Sequence, residues 1–473
     1  MENDLTISLK VDKTNELTQD QKNGLSYLFN WVKENKNIKS DDMYCSLTGA
    51  AGTGKTTLIS YFLDLVSTEI PKHKICICAP THKAKKVIQS KTKWKTSETL
   101  QALLGLKLDV SMEDFDINNP SFNPIGDRKI KDFKLVIIDE SSMVNKDLYI
   151  TIKDCAKSTG TLVLFVGDSK QLNPVKENNI SFALTGCNKN YNLTQVVRQQ
   201  NDNPLIEVLD CLRKDIEFGT NNYISLLKDY PSKFNSRNEG FAVLNGIDFA
   251  VELKNHFLSE EFKQDKNFCR FIAWTNDCIK NTNTYIREKI MNAQNFIEID
   301  DVLLGYRTVA DKDFTYITNS DDYVVEDITE HNKTIEGENI ECFSINIRAI
   351  DTDLTSTLNI VKPSSSNLNK FSTIFEEILL DAKTKRSGKV WREFYQFKDD
   401  YLLINPLFKN NTLLCKKDID FGYGLTIHKS QGSTYNTVFI SGKDINKNFV
   451  DSERKKLWYV ALSRASNKVF ISL

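Results

Sequence analysis

Residues 49–56 read Gly-Ala-Ala-Gly-Thr-Gly-Lys-Thr, and no other stretch of the chain restricts its fold so far. The spacing G-x-x-x-x-G-K-T stands after an apolar run, MYCSLTG, and before a helical one, KTTLISYFLDLV. Glycines at those places let backbone N–H groups curl around phosphate oxygens, and the helix that follows turns its positive end toward them. Gly49, Ala51, Gly52, Thr53, Gly54, Lys55, Thr56 and Thr57 are therefore the candidate cradle of a nucleotide. Lys55 would neutralise the β- and γ-phosphates of ATP, and the Thr56 hydroxyl would be offered to Mg2+. The neighbouring sequence agrees with such a loop. Apolar runs KICICAP, KLVIIDE and TLVLFVGD alternate with helical stretches such as HKAKKVIQS, the βαβ rhythm of a parallel sheet covered on both faces.

An ATPase built on this loop also needs a carboxylate at the end of a neighbouring strand for the metal, and a group that positions or activates water. Asp139 and Glu140 follow four consecutive apolar residues in LVIIDES, which assigns Asp139 to Mg2+, through water, and Glu140 to the base. Gln171, in GDSKQLNPV after the run TLVLFV, falls where it can reach a γ-phosphate, although a solvated loop residue would look the same. Arg198 in LTQVVRQ and Arg464 in VALSRAS are candidates for guanidinium groups that stabilise charge on the transferring phosphoryl. Taken singly, each would be read as a surface arginine.

The 473 residues suffice for two to four packed units at roughly 100–200 residues each. Lys and Arg number 62 against 63 Asp and Glu, so the molecule is no polycation and any nucleic-acid surface must be local. With 40% hydrophobic and 26% charged residues, a mainly disordered or fibrous chain is excluded. No window approaches the run of about 20 apolar residues that spans a bilayer. The opening MENDLTISLK lacks the basic-then-apolar order of a secretory leader, so the expectation is a cytoplasmic protein with no membrane partner. Ten cysteines without Cys-x-x-Cys or Cys/His spacing give neither a disulfide scaffold nor a zinc site, and Cys76 and Cys78 read as small core residues of a strand.

Apolar residues at three- and four-residue steps over positions 17–32 predict an amphipathic helix, with Thr18 as N-cap and Gln21 closing a capping box. Residues 1–104 and 133–190 form the first expected α/β unit, interrupted by a polar stretch at 105–132 that fits an inserted hairpin. The second unit takes 191–297 and 418–473, and encloses a β-rich insertion at 298–417 whose early part is strongly acidic.

In chain order, Gln21, GAAGTGKTT, APTHKAKK, IDES, GDSKQLNPV, LTQVVRQ, AWTN, LTIHKSQGSTY and YVALSRA resemble the motif set of superfamily 1 helicases. The wording is most similar to the Dda-like and RecD-like group, SF1B, which moves 5′ to 3′ on single-stranded DNA. The resemblance implies two RecA-like P-loop domains, 1A and 2A, with parallel sheets. It implies that the first insertion is a pin hairpin, 1B, and the second an SH3-like domain with a tower, 2B. Residue by residue, it implies that Gln21 reads adenine, that Gly432 joins the nucleotide site, and that Gln171, Arg198 and Arg464 sense the γ-phosphate across the cleft. On the DNA side it implies Pro80, Thr81, His82 and Thr99 in the first domain, and Asn276, Thr426, His428 and Ser430 in the second. Hydroxyl, amide and imidazole groups bond phosphate oxygens without reading sequence, and Trp274 can stack on a base. His82 and His428 have capping or core roles as the alternative. Relatives usually carry a histidine in the stretch KTSETLQALL, where this chain has Gln101, so the contact at Thr99 departs from the pattern. Phe115 and Phe122 are candidates for the pin tip, or equally buried anchors of the loop. Trp391 matches a tryptophan that braces the pin, or is core.

The expectation is an ATP-dependent DNA helicase that needs ATP and Mg2+ and acts as a monomer on single-stranded DNA and the DNA fork. Single-strand-binding or replication proteins are its expected partners, and the host cytoplasm its place if the source is a virus of bacteria. Two alternatives stay open: an ATP-driven remodeller of nucleoprotein that does not unwind, and an RNA helicase of the same superfamily.

Overall fold

A computed structural model of the chain describes residues 17–80, 82–94, 97–108, 122–123, 126–174, 177–195, 202–311, 314–385 and 387–473. Thr81, Phe115 and Arg198 lie outside the described residues, as do the side chains of His82 and Phe122.

The helix Gln19–Asn35 begins at the expected capping box: Thr18 Oγ1 accepts from Gln21 N–H at 3.2 Å, and Gln21 Oε1 accepts from Thr18 N–H at 3.0 Å. Its apolar face, Leu25, Leu28, Phe29 and Val32, is buried against the first of two sheets. That sheet is wholly parallel, in the order Ser97–Thr99, Ile75–Ala79, Leu135–Ile138, Leu162–Gly167, Tyr44–Gly49 and Lys189–Leu193. Ile75–Ala79, Leu135–Ile138 and Leu162–Gly167 are buried at every position, as a sheet covered on both faces requires, and Cys76 and Cys78 are part of that core.

The second sheet runs Gly424–Thr426, Cys269–Ala273, Tyr435–Ser441, Ala465–Ser472, Gly240–Leu244 and Ser232–Phe234, parallel except for the last, antiparallel edge strand. Two expected boundaries move. The strand Lys189–Leu193, cut by a border at 190, pairs along its whole length with Tyr44–Gly49 and belongs to the first lobe. Ile419–Phe421 pairs with Val302–Gly305 of the inserted sheet, so the chain rejoins the second sheet only at Gly424. In both cases register, invisible in local composition, decides membership.

At the base of the first inserted segment Lys107–Leu108 pairs antiparallel with Phe122–Asn123. The second insertion is an antiparallel sheet, Thr355–Val361, Glu338–Ala349, Asp322–Ile335, Val302–Gly305 and Ile419–Phe421. It is not β-rich throughout. Two helices, Ser365–Lys385 and Gly388–Asp400, bury Phe371, Phe375, Trp391 and Phe394 in a core shared with Ile340, Cys342 and Val361 of the inserted sheet. The insertion is joined to the second lobe by buried ion pairs. Arg270, on the strand Cys269–Ala273 of the lobe, faces Asp322 at 3.4 Å with both side chains almost fully excluded from solvent. Arg287 holds Asp301 at 2.8 Å, and Tyr423 O–H donates to the same carboxylate at 2.7 Å.

Candidate nucleotide cleft and strand-binding face

The P-loop leaves the carboxyl end of Tyr44–Gly49, the acidic pair leaves Leu135–Ile138, and Asp168 leaves Leu162–Gly167, so three adjacent strands converge on one place. In doubly wound sheets that edge is where ligands sit. The place is a cleft of about 500 Å³ between the two lobes. Gln21, Lys55, Thr56, Asp139, Glu140 and Gln171 line it from the first lobe, and Gly432 and Arg464 from the second.

Gly54 caps the helix Lys55–Val66 in the left-handed region, at φ 77°, and a Cβ built there would run into Gln21 Nε2. Only glycine combines that backbone with that contact. Gln21 Nε2 donates to Thr53 O at 3.0 Å, so the residue expected to read adenine also braces the loop. Lys55 Nζ donates to the carbonyl oxygens of Gly49 at 2.6 Å and Ala50 at 3.0 Å, held over the mouth of the cradle. Ala51, Gly52 and Thr57 line the cleft, and Thr53 is buried behind it.

Burial and the neighbouring Glu140 push the Asp139 carboxyl well above its usual range. Asp139 and Glu140 line the cleft together with Thr56, a hard, oxygen-rich donor set that fits Mg2+. Glu140 itself has φ 52°, ψ 38°, a left-handed conformation that costs a non-glycine residue about 1 kcal/mol or more. Opposite, Gly432 has φ 78°, and a side chain at that position would project to within 3.8 Å of the Glu140 carboxylate. Gln171 Oε1 accepts from Gln431 Nε2 at 3.5 Å across the same gap.

Arg464 is buried, and burial pulls its pKa down against the pull of Glu140. Its guanidinium donates to the carbonyls of Val460 (3.1 Å) and Ser433 (3.2 Å) and to Ser463 Oγ (2.8 Å). These bonds aim a charged fork into the cleft that also holds Lys55.

The expected strand-binding residues divide. Pro80 ends the strand Ile75–Ala79, and Gln101 Nε2, where relatives have histidine, reaches the Pro80 carbonyl at 3.5 Å. Thr99 caps the helix Leu100–Leu104 through Ala102 N–H, so its hydroxyl has a structural use. Asn276 opens the helix Asn276–Tyr285 and is exposed, and Trp274 is half-buried beside it. Asp444 fixes the turn that leads into this helix, accepting from Trp274 N–H at 2.9 Å and from Thr275 N–H at 2.7 Å. Burial lowers the His428 pKa against the pull of Glu453, which favours the neutral imidazole. Thr426 is buried and accepts from Lys429 N–H. Ser430 departs from expectation: it is fully buried, and its hydroxyl donates to Ile427 O at 2.7 Å because the 427–432 turn points it inward. Trp391 is likewise packed against Phe394 and Tyr395, the core alternative.

The sequence reading did not single out Ser60 and Lys91, which line the cleft, or Tyr459 and Arg213, which meet the P-loop from the second lobe. Tyr459 stood inside the quoted stretch YVALSRA, and Lys91 directly follows HKAKKVIQS on the same helix.

The family model of an AAA domain matches residues 35–223, and that of a UvrD-like helicase C-terminal domain matches residues 421–472, together about half of the chain. The chain is 25% identical to the ATP-dependent DNA helicase dda of Enterobacteria phage T4, over 96% of this chain and 99% of that protein. It is 26% identical to the RecBCD enzyme subunit RecD of Buchnera aphidicola subsp. Schizaphis graminum, over 85% of this chain and 72% of that one. The crystal structure of a Pif1 helicase from Bacteroides with ADP-AlF3 and ssDNA superposes with a TM-score of 0.53 at 18% identity, covering 96% and 92% of the two chains. That likeness shows the fold: the two sheets are RecA-like α/β domains. Motif order, both family matches and these relatives agree that the chain belongs to the Dda- and RecD-like group of superfamily 1B helicases.

Proposed function

We propose that the chain is an ATP-dependent DNA helicase that travels 5′ to 3′ on single-stranded DNA and opens duplex ahead of it. One observation carries this reading: Lys55, Asp139, Glu140 and Gln171 of one lobe face Gly432 and Arg464 of the other across a single cleft. A ligand bound there touches both lobes, so one that binds the closed cleft more tightly than the open one moves one lobe against the other.

Lys55 exchanges its two carbonyl partners for phosphate oxygens, and the P-loop amides wrap the β-phosphate. Glu140 takes the proton of the attacking water. Gln171 orients that water, and Arg464 meets the charge that develops on the transferring oxygens. Mg2+, held by Thr56 and Asp139, would offset the phosphate charge. Arg198 is proposed as a second guanidinium on the same phosphates. Closure shifts grip on the strand between the Pro80–Thr81–His82 side and the Asn276–His428 side, which yields directed steps. Phe115 and Phe122 are proposed to meet the fork at the pin.

The test is unwinding of a partial duplex carrying either a 5′ or a 3′ tail, with ATP and Mg2+. Opening of the 5′-tailed substrate alone is expected, and Lys55→Ala should abolish it. Opening from the 3′ tail refutes the direction. ATP hydrolysis stimulated by DNA without opening of either substrate supports a remodeller instead, and stimulation by RNA alone supports an RNA helicase.

A further inference from the structure

Tyr459 lies on the helix Asp451–Leu462 of the second lobe, yet both partners of its hydroxyl belong to the first. The O–H donates to Asp168 Oδ2 at 2.8 Å, and the oxygen accepts from Ala51 N–H of the P-loop at 2.9 Å. Tyr459 is 0% and Asp168 1% exposed, so the bond between them does not compete with water, while the bond to Ala51 lies at the wall of the cleft. Arg213, also of the second lobe, stands with its guanidinium 5.7 Å from the ring centroid and reaches the Ala51 carbonyl at 3.5 Å. One turn before Tyr459, on the same face, Lys456 Nζ donates to Asn173 Oδ1 at 2.6 Å. The helix thus presses on the P-loop and on the 168–173 turn that carries Gln171, and five residues after Tyr459 the chain delivers Arg464.

Filling this space does not demand a hydroxyl, since phenylalanine has almost the same volume. What the oxygen adds is registration. A phenol that donates to a carboxylate and accepts from an amide has one orientation, and it ties three catalytic segments to one atom.

We propose that Tyr459 is a positioning residue for ATP hydrolysis: its hydroxyl sets the P-loop, the Gln171 turn and the Arg464 helix in register, so that the closed cleft is assembled only when all three meet. The inference rests on reading the cleft as an ATPase site. Tyr459 touches no reacting atom. Its effect passes through Ala51, Asp168 and the helix that leads to Arg464.

The experiment compares wild type, Tyr459→Phe, Asp168→Ala and the double variant in the full chain. ATP hydrolysis is measured with and without a dT oligonucleotide, with kcat and KM separated and melting followed in parallel. Tyr459→Phe should lower DNA-stimulated kcat about tenfold while KM for ATP changes by less than about threefold, the pattern of a lost closed state rather than a damaged pocket. Tyr459→Phe should slow the Asp168→Ala chain by less than it slows wild type, because the Asp168 bond is already gone and only the Ala51 bond is left to lose. A kcat within about twofold of wild type, or strictly additive losses, overturns the proposal. If Tyr459→Phe fails to fold, 3-fluorotyrosine placed at 459 alone weakens the acceptor and strengthens the donor at nearly constant volume, and an unchanged kcat then overturns it. A wild-type chain with no ATPase that Lys55→Ala removes refutes the reading of the cleft, and this inference falls with it.

Discussion

Gln21 performs two tasks that a single substitution can separate. Its backbone N–H and Oε1 close the capping box with Thr18, while Nε2 donates to Thr53 O inside the P-loop. Gln21→Glu keeps the box, since glutamate is equally at home at that third helical position and favours a helix N-terminus. It loses the Nε2 donor and turns a carboxylate oxygen toward a carbonyl that belongs to a residue 1% exposed. A buried acceptor deprived of its donor costs about 1–3 kcal/mol, which would weaken phosphate binding by about 5- to 150-fold. Gln21→Ala forfeits the box as well, about another 1 kcal/mol, and should melt lower than Gln21→Glu. Titration with ADP and with tripolyphosphate separates loop bracing from base reading. Bracing predicts that Gln21→Glu loses affinity for both ligands, whereas base reading alone predicts loss for ADP only. Undiminished tripolyphosphate affinity in Gln21→Glu refutes the bracing argument, and equal melting of the two variants refutes the separation of tasks.

Glu140→Gln should bind ATP as wild type does but hydrolyse it at least about a hundredfold more slowly in single-turnover assays, because the left-handed backbone at 140 suits either residue equally. Burial opposes ionisation of Asp444, but hydrogen bonds from Thr275 and Lys447 outweigh it and hold its pKa below the ordinary 3.8. A depressed folded pKa gives stability that is complete above the unfolded value and is lost as pH falls through the folded one. Wild-type melting temperature should therefore drop below about pH 4 in part through this group, and Asp444→Asn should remove that part of the slope in pH-dependent melts. With a net charge of −1, attraction for DNA has to come from a local basic channel. Affinity for a dT oligonucleotide should fall with salt, with a logarithmic slope of about −0.7 per phosphate neutralised, and a flat salt titration would contradict it.

Much of the cleft was legible in the sequence because its parts are local. The P-loop, the acidic pair after four apolar residues and the Thr18–Gln21 box each depend on neighbours within a few positions. What escaped depends on distance or on turn geometry. The Ala51–Tyr459 bond joins residues 408 positions apart, and nothing near either announces the other. Ser430 has the right type and the right motif, yet the 427–432 turn carries it inward. The two helices of the insertion were a different failure. Phe371, Ile374, Phe375 and Leu379 recur at helical steps, a signal present in the sequence but read past among alternating strand-like runs. The border at 190 failed because strand pairing, not composition, assigns Lys189–Leu193 to its sheet.

The buried pairs Arg270–Asp322 and Arg287–Asp301 have a mechanical meaning. A joint made of ions without water resists bending, because separating either partner strands a charge in a place that cannot hydrate it. The insertion is then a spoke fixed to the hub of the second lobe. A hub that turns around the cleft carries such a spoke with it, so the insertion would report each nucleotide cycle as a rigid stroke.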